Sequence, residues 1–175
     1  MRIGTWNLAG RWDDRHRELL LAADCDVWLL TEVNERLAFD GYSMHLGEMQ
    51  MAARRRWAAV LGRNTLKPLP DPHPASAAAL MDGVTFCSTI LPWRGCGSRP
   101  PWLGERHADK TAAAVDELVR KLPDERLVWG GDWNHALSGR EWSGSAEGRS
   151  HILDAVDRLE LQVPTARLPH RIDGL

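Results

Sequence analysis

The segment Asp26-Val27-Trp28-Leu29-Leu30 constrains this chain more than any other. It is apolar at every position from 27 to 30, where a half-exposed strand would alternate, so it reads as a central strand covered on both faces. The polar residue that closes it is Glu32. A carboxylate one residue beyond a doubly covered apolar run, after Thr31, is poorly explained as a surface charge.

Two other apolar segments end in the same way. Residues 2–6 alternate and run into Asn7, followed by Leu8-Ala9-Gly10, a strand passing into a loop. Leu127-Val128-Trp129 reads as a buried strand broken by Gly130-Gly131, whose freedom at φ would turn the backbone and set Asp132-Trp133-Asn134 at the strand's end. Between these lie a helix over 13–23 capped by Asp13 or Asp14, strands near 42–46 and 57–62, and a strand over 84–91. Glu105 to Leu122 carries Ala108, Thr111, Ala112, Val115, Leu118, Val119 and Leu122 at spacings of three and four, the clearest helix of the chain. A last helix fits 149–159. Residues 66–79 contain Pro68, Pro70, Pro72 and Pro74 and read as a surface loop, and Arg54-Arg55-Arg56 as a solvated turn, with substrate contact its lesser reading.

The 175 residues fit one domain, and 22 Lys and Arg against 24 Asp and Glu give a net charge of −2, without the positive field of a protein that holds nucleic acid by charge alone. Cys25, Cys87 and Cys96 form no disulfide framework and no C-x-x-C pair. A reducing, cytoplasmic setting follows, and no stretch is apolar enough to span a membrane.

Strands of one sheet that end on the same side bring Asn7, Glu32, Asp132 and Asn134 together. Carboxylate and amide oxygens are hard ligands suited to Mg²⁺ or Mn²⁺, and no His/Cys cluster competes for zinc. Such an ion polarises a phosphoryl oxygen while a second carboxylate deprotonates the attacking water, a division that makes Glu32 the metal ligand and Asp132 the base. Thr5-Trp6-Asn7, the 26–32 segment ending in Thr31-Glu32, and Gly131-Asp132-Trp133-Asn134 resemble, in order and spacing, three motifs of the endonuclease/exonuclease/phosphatase superfamily. The resemblance covers nearly the whole chain. It implies an α/β fold, a four-layer sandwich of two packed mixed β-sheets flanked by helices. It places Asn7 and Glu32 at the metal, gives Asp132 the water and Asn134 the scissile phosphate, and implies a phosphodiesterase or nuclease.

The chain also departs from that pattern. The superfamily carries a Tyr or His on the strand at 84–91, where this chain has Thr89-Ile90-Leu91-Pro92, and Arg94 is the candidate substitute. The superfamily's closing Ser-Asp-His motif has no counterpart; His170 and Asp173 stand in the wrong order. The expectation is therefore a domain that stops before its final strand, weak or inactive as it stands and prone to self-association at the open sheet edge. The competing reading is a catalytically impaired phosphate- or nucleic-acid-binding domain of the same fold. Most of the nine Trp residues belong to the core; Trp93 and Trp133 are the two beside the expected site. His107 and His135 read as surface or helix-end residues, and Gly144-Ser145 with Gly148-Arg149 as a loop and helix cap.

Overall fold

A computed structural model describes residues 1–165. The strands are β1 (Ile3–Asn7), β2 (Val27–Asn34), β3 (Ser43–Leu46), β4 (Gln50–Ala52), β5 (Arg55–Gly62), β6 (Lys67–Pro68), β7 (Ser76–Met81), β8 (Val84–Ile90) and β9 (Leu127–Asp132). The helices are α1 (Asp14–Ala23), α2 (His107–Lys121) and α3 (Ala146–Arg158). The chain divides into two compact units, one made of Met1–Leu91 with Lys121–Trp133 and the other of Pro92–Arg120 with the described residues from Asn134 onward.

The first unit contains two mixed sheets. One runs β1-β2-β5-β3, with β4 also paired to β5; the other runs β6-β7-β8-β9. Parallel pairs join β1 to β2 and β8 to β9, and the remaining pairs are antiparallel. The run at 27–30 explains the layering. Val27 and Leu29 pack with Ala58, Val60, Ala77, Ala79 and Phe86 between the sheets. Trp28 and Leu30 point the other way and pack with Leu8, Leu20 of α1, Leu37 and Leu61. Both faces of β2 are thus buried, as its unbroken apolar pattern requires. Asp13 caps α1 through its carboxylate, which accepts from the His16 backbone N–H at 3.1 Å.

Residues 66–79 are not one surface loop, because β6 and β7 fall largely within them, and β7 lies between β6 and β8. The prolines are confined to β6 and the segment before β7. What hides β7 is its composition, Ser-Ala-Ala-Ala-Leu-Met, since alanine carries little strand propensity yet suits a strand buried beneath a second sheet. Nor do Gly130 and Gly131 break β9, which continues to Asp132.

In the second unit α2 buries Ala108, Thr111, Ala114, Val115, Leu118 and Val119. Helix α3 is capped by Ser145, whose Oγ accepts from the Gly148 N–H at 3.1 Å; the helix opens at Ala146, so Gly148 and Arg149 lie within its first turn and not in a loop. A Cβ on Gly148 would fall 3.2 Å from Thr111 Oγ1 and 2.5 Å from His135 Nε2, so this glycine permits a close approach of α3 to α2. No helix among the described residues is long and apolar enough to cross a membrane.

Candidate active site

Three strands of the first unit deliver the polar groups. The parallel register sets Asn7 of β1 beside Thr31 of β2, so Asn7 and Glu32 emerge from adjacent strands of one sheet. Asp132 comes from the end of β9 in the other sheet. The Asn7 side chain joins them: its Nδ2 donates to Glu32 Oε1 at 3.0 Å and to Asp132 Oδ2 at 2.8 Å. Its Oδ1 accepts from the Ala9 N–H at 2.9 Å. One amide therefore holds two carboxylates from different sheets, and the two oxygens lie no farther apart than the sum of those bonds.

Glu32 is not at the end of its strand, as its sequence suggested; β2 continues to Asn34. Within the strand Glu32 has φ 49°, a left-handed conformation that costs a non-glycine residue about 1 to 3 kcal/mol and persists only where the surroundings hold it. Its peptide is held: the Glu32 carbonyl accepts from the Gly10 N–H at 2.7 Å. The second oxygen of its carboxylate, Oε2, accepts from Arg55 Nη1 at 3.0 Å.

Arg55 reaches the site, although its run reads chiefly as a solvated turn. Of the 54–56 run only Arg54 belongs to the turn, with φ 60°, while Arg55 and Arg56 open β5. Arg56 pairs with Glu35 at 2.7 Å. The available signal was register: Arg55 faces Asn34, two residues along the strand from Glu32, a spacing at which side chains of neighbouring strands interact diagonally.

Gly131 explains why the third motif has its form. It lies opposite Thr89 of β8 with φ 122°, and a Cβ there would sit 2.2 Å from the Thr89 carbonyl oxygen. Only glycine lets β9 approach β8 this closely before delivering Asp132. Thr89 itself is fully buried; its Oγ1 accepts from the Trp129 indole N–H at 3.3 Å and lies 3.4 Å from Cys87 Sγ. Ile90 and Leu91 are buried too, so the end of β8 presents no polar side chain like that of the superfamily.

The remaining candidates are placed as follows. Trp133 packs on Trp129 at 4.5 Å between ring centroids. In the second unit Asn134 has φ 54° and Trp93 meets Trp102 edge-on at 6.3 Å. Arg94 donates from Nε to the Gly144 carbonyl at 2.6 Å, and its backbone N–H bonds Ser143, so Arg94 supports the loop at Ser143-Gly144. His107 opens α2 and lies 3.0 Å from Ser145 Oγ and 3.1 Å from the Pro92 carbonyl, and its ring stacks on His135. His170 and Asp173 lie outside the described residues. Among the described residues no group of three or more His, Cys, Asp or Glu side chains is placed to hold a metal ion.

No protein-family model matches the chain, and no curated protein matches it by sequence. Solved structures do. The endonuclease domain of TRAS1, a telomere-specific non-LTR retrotransposon, has TM-score 0.58 and 16% identity over 90% of this chain and 70% of its own. An endonuclease/exonuclease/phosphatase protein from Beutenbergia cavernae has TM-score 0.57 and 15% identity over 89% of this chain and 53% of its own, so the chain spans about half of that relative's length. A β-hairpin deletion mutant of beta toxin from Staphylococcus aureus has TM-score 0.52 and 12% identity over 93% of this chain and 73% of its own. The chain has the endonuclease/exonuclease/phosphatase fold, with two mixed sheets and accompanying helices.

Proposed function

We propose that the protein is a Mg²⁺- or Mn²⁺-dependent phosphoesterase, a phosphodiesterase or nuclease rather than a monoesterase, that hydrolyses its substrate by in-line attack of water. The observation that carries this reading is the convergence of Glu32 and Asp132, from two sheets, on the Asn7 amide. The donor set suits a hard divalent cation, which takes one or two carboxylates and completes its shell with water and phosphate. Glu32, with Asn7 beside it, would hold the ion. When bound, such an ion polarises a phosphoryl oxygen and stabilises the leaving oxyanion.

Asp132 orients the attacking water and takes its proton. Asn7, bonded to both carboxylates, keeps them at a fixed separation, and the strained Glu32 backbone points its carboxylate toward Asn7 and Arg55. The phosphate contact assigned to Asn134 rests on its sequence motif alone. The shared fold with a retrotransposon endonuclease domain supports the nuclease side of the reading. The burial of Thr89, where the superfamily offers a polar group, favours a second reading: a phosphate-binding domain with impaired turnover.

Hydrolysis of bis(p-nitrophenyl) phosphate with Mg²⁺ or Mn²⁺, compared with excess EDTA, tests the proposal. Metal-dependent release of p-nitrophenol above the buffer rate is expected. Equal rates with metal and with EDTA count against catalysis, and phosphate binding without turnover would select the second reading.

A further inference from the structure

We propose that Arg55 is a built-in phosphate-binding element of this site, a fixed cation that receives the anionic ester and competes with the divalent ion for Glu32. The inference rests on the phosphoesterase reading and adds a ligand-binding role for a residue that lies in none of the three motifs.

Three observations carry it. The first is the seat. A Cβ on Gly10 would lie 2.3 Å from Arg55 Nε, 2.4 Å from Nη2 and 2.5 Å from Cζ, so the guanidinium occupies the space that glycine leaves empty. Gly10 has φ 71° and is fixed on both sides: its N–H bonds the Glu32 carbonyl at 2.7 Å and its carbonyl accepts from Asn34 Nδ2 at 2.9 Å. The cation is thus positioned by the β1–α1 loop before any ligand arrives.

The second is unused donor capacity. A guanidinium has five N–H groups in a planar fork. Nη1 donates to Glu32 Oε2, and the other N–H groups have no partner among the described residues. The side chain is 36% exposed. A permanently charged planar fork on a partly exposed side chain matches the paired oxygens of a phosphate diester.

The third is charge. Two carboxylates close to one amide repel an incoming phosphate anion, and Arg55 offsets the nearer of them. Both oxygens of Glu32 already accept hydrogen bonds, from Asn7 and from Arg55, so the ion must share this carboxylate with the guanidinium. Removing Arg55 should therefore move two affinities in opposite directions, which a merely structural arginine would not do.

The test uses the full chain and two probes, Mn²⁺ alone and inorganic phosphate alone, each titrated by calorimetry against wild type, Arg55→Gln, Arg55→Lys and Glu32→Gln, with circular dichroism confirming the fold of each. Arg55→Gln should bind Mn²⁺ about three- to tenfold more tightly, the scale of a partly exposed ion pair lost from a ligand carboxylate. It should bind phosphate about tenfold more weakly. Arg55→Lys, which keeps the charge and loses the fork, should bind Mn²⁺ like wild type while recovering only part of the phosphate affinity. Unchanged phosphate binding in Arg55→Gln, weaker Mn²⁺ binding in that variant, or no detectable phosphate binding by wild type overturns the proposal. Failure of the phosphoesterase reading looks different: Glu32→Gln would then bind Mn²⁺ as wild type does, whatever Arg55 contributes. If Arg55→Gln does not fold, the Arg55→Lys comparison decides, and equal phosphate affinity in Lys and wild type refutes a role for the fork.

Discussion

Gly131→Ala should be far more damaging than the same change at Gly130, although the two glycines are adjacent in β9. At Gly131 the new methyl would lie 2.2 Å from the Thr89 carbonyl oxygen and 2.7 Å from its nitrogen, with φ at 122°. Both obstacles are backbone atoms of the paired strand, so no rotamer change relieves them. Left-handed strain of about 1 to 3 kcal/mol and an overpacking cost of about 1 to 3 kcal/mol combine to roughly 4 kcal/mol. For a chain of this size that lowers Tm by about 10 °C. At Gly130 the methyl meets only Leu29 Cδ1, at 2.9 Å, the movable end of a side chain, and the cost should stay near 1 kcal/mol. Urea unfolding of the two variants, followed by tryptophan fluorescence, measures the difference. Losses equal within about 0.5 kcal/mol would refute the claim that β8–β9 proximity is what demands glycine before Asp132.

Other outcomes follow from the same geometry. Glu141 is 7% exposed and accepts from Arg149 Nε at 2.7 Å and from the Ala136 N–H at 3.1 Å; Glu141→Ala, which removes the counter-charge of a largely buried guanidinium and leaves it the Gly139 carbonyl, should cost about 2 to 4 kcal/mol in urea unfolding. Burial pushes the Cys87 thiol up to about 12, so at pH 8 it stays protonated in the folded protein. A disulfide reagent should modify the partly exposed Cys96 first and reach Cys87 only after unfolding. Among the described strands β1 pairs only with β2, and Ile3 on it is 41% exposed; sedimentation velocity should show concentration-dependent association that Ile3→Lys weakens, and an invariant monomer would contradict this.

Much of this architecture is legible in the residues, and the losses have physical causes. Periodicity finds α2 to within two residues because it keeps one apolar stripe, the Asp13 cap marks the start of α1 although Leu20 is the residue that helix buries, and the unbroken run at 27–30 reveals a strand covered on both faces. Strand β7 escapes because its burial is achieved with alanine, which signals neither period nor propensity. The polar residues Asn7, Glu32 and Asp132 can be read from their abrupt position after apolar runs, although β2 runs on past Glu32 to Asn34. The left-handed backbone at Glu32 cannot, since the Gly10 N–H that bonds its carbonyl comes from the β1–α1 loop, distant in sequence. Arg55 is hidden for a related reason: an arginine among three arginines near a turn resembles a solvated cluster until the β2–β5 register sets it diagonal to Glu32. Gly10 and Gly131 are visible as glycines, but which atoms they make room for is a tertiary fact.

The division of labour between Glu32 and Asp132 is the centre of this account, and one comparison tests it most directly. Hydrolysis of bis(p-nitrophenyl) phosphate and Mn²⁺ affinity are measured side by side for wild type and Asp132→Asn. Because Asp132 is assigned to the water and not to the ion, kcat should fall at least about a hundredfold while Mn²⁺ affinity stays close to that of wild type. Full activity in Asp132→Asn would contradict the mechanism even with the fold intact.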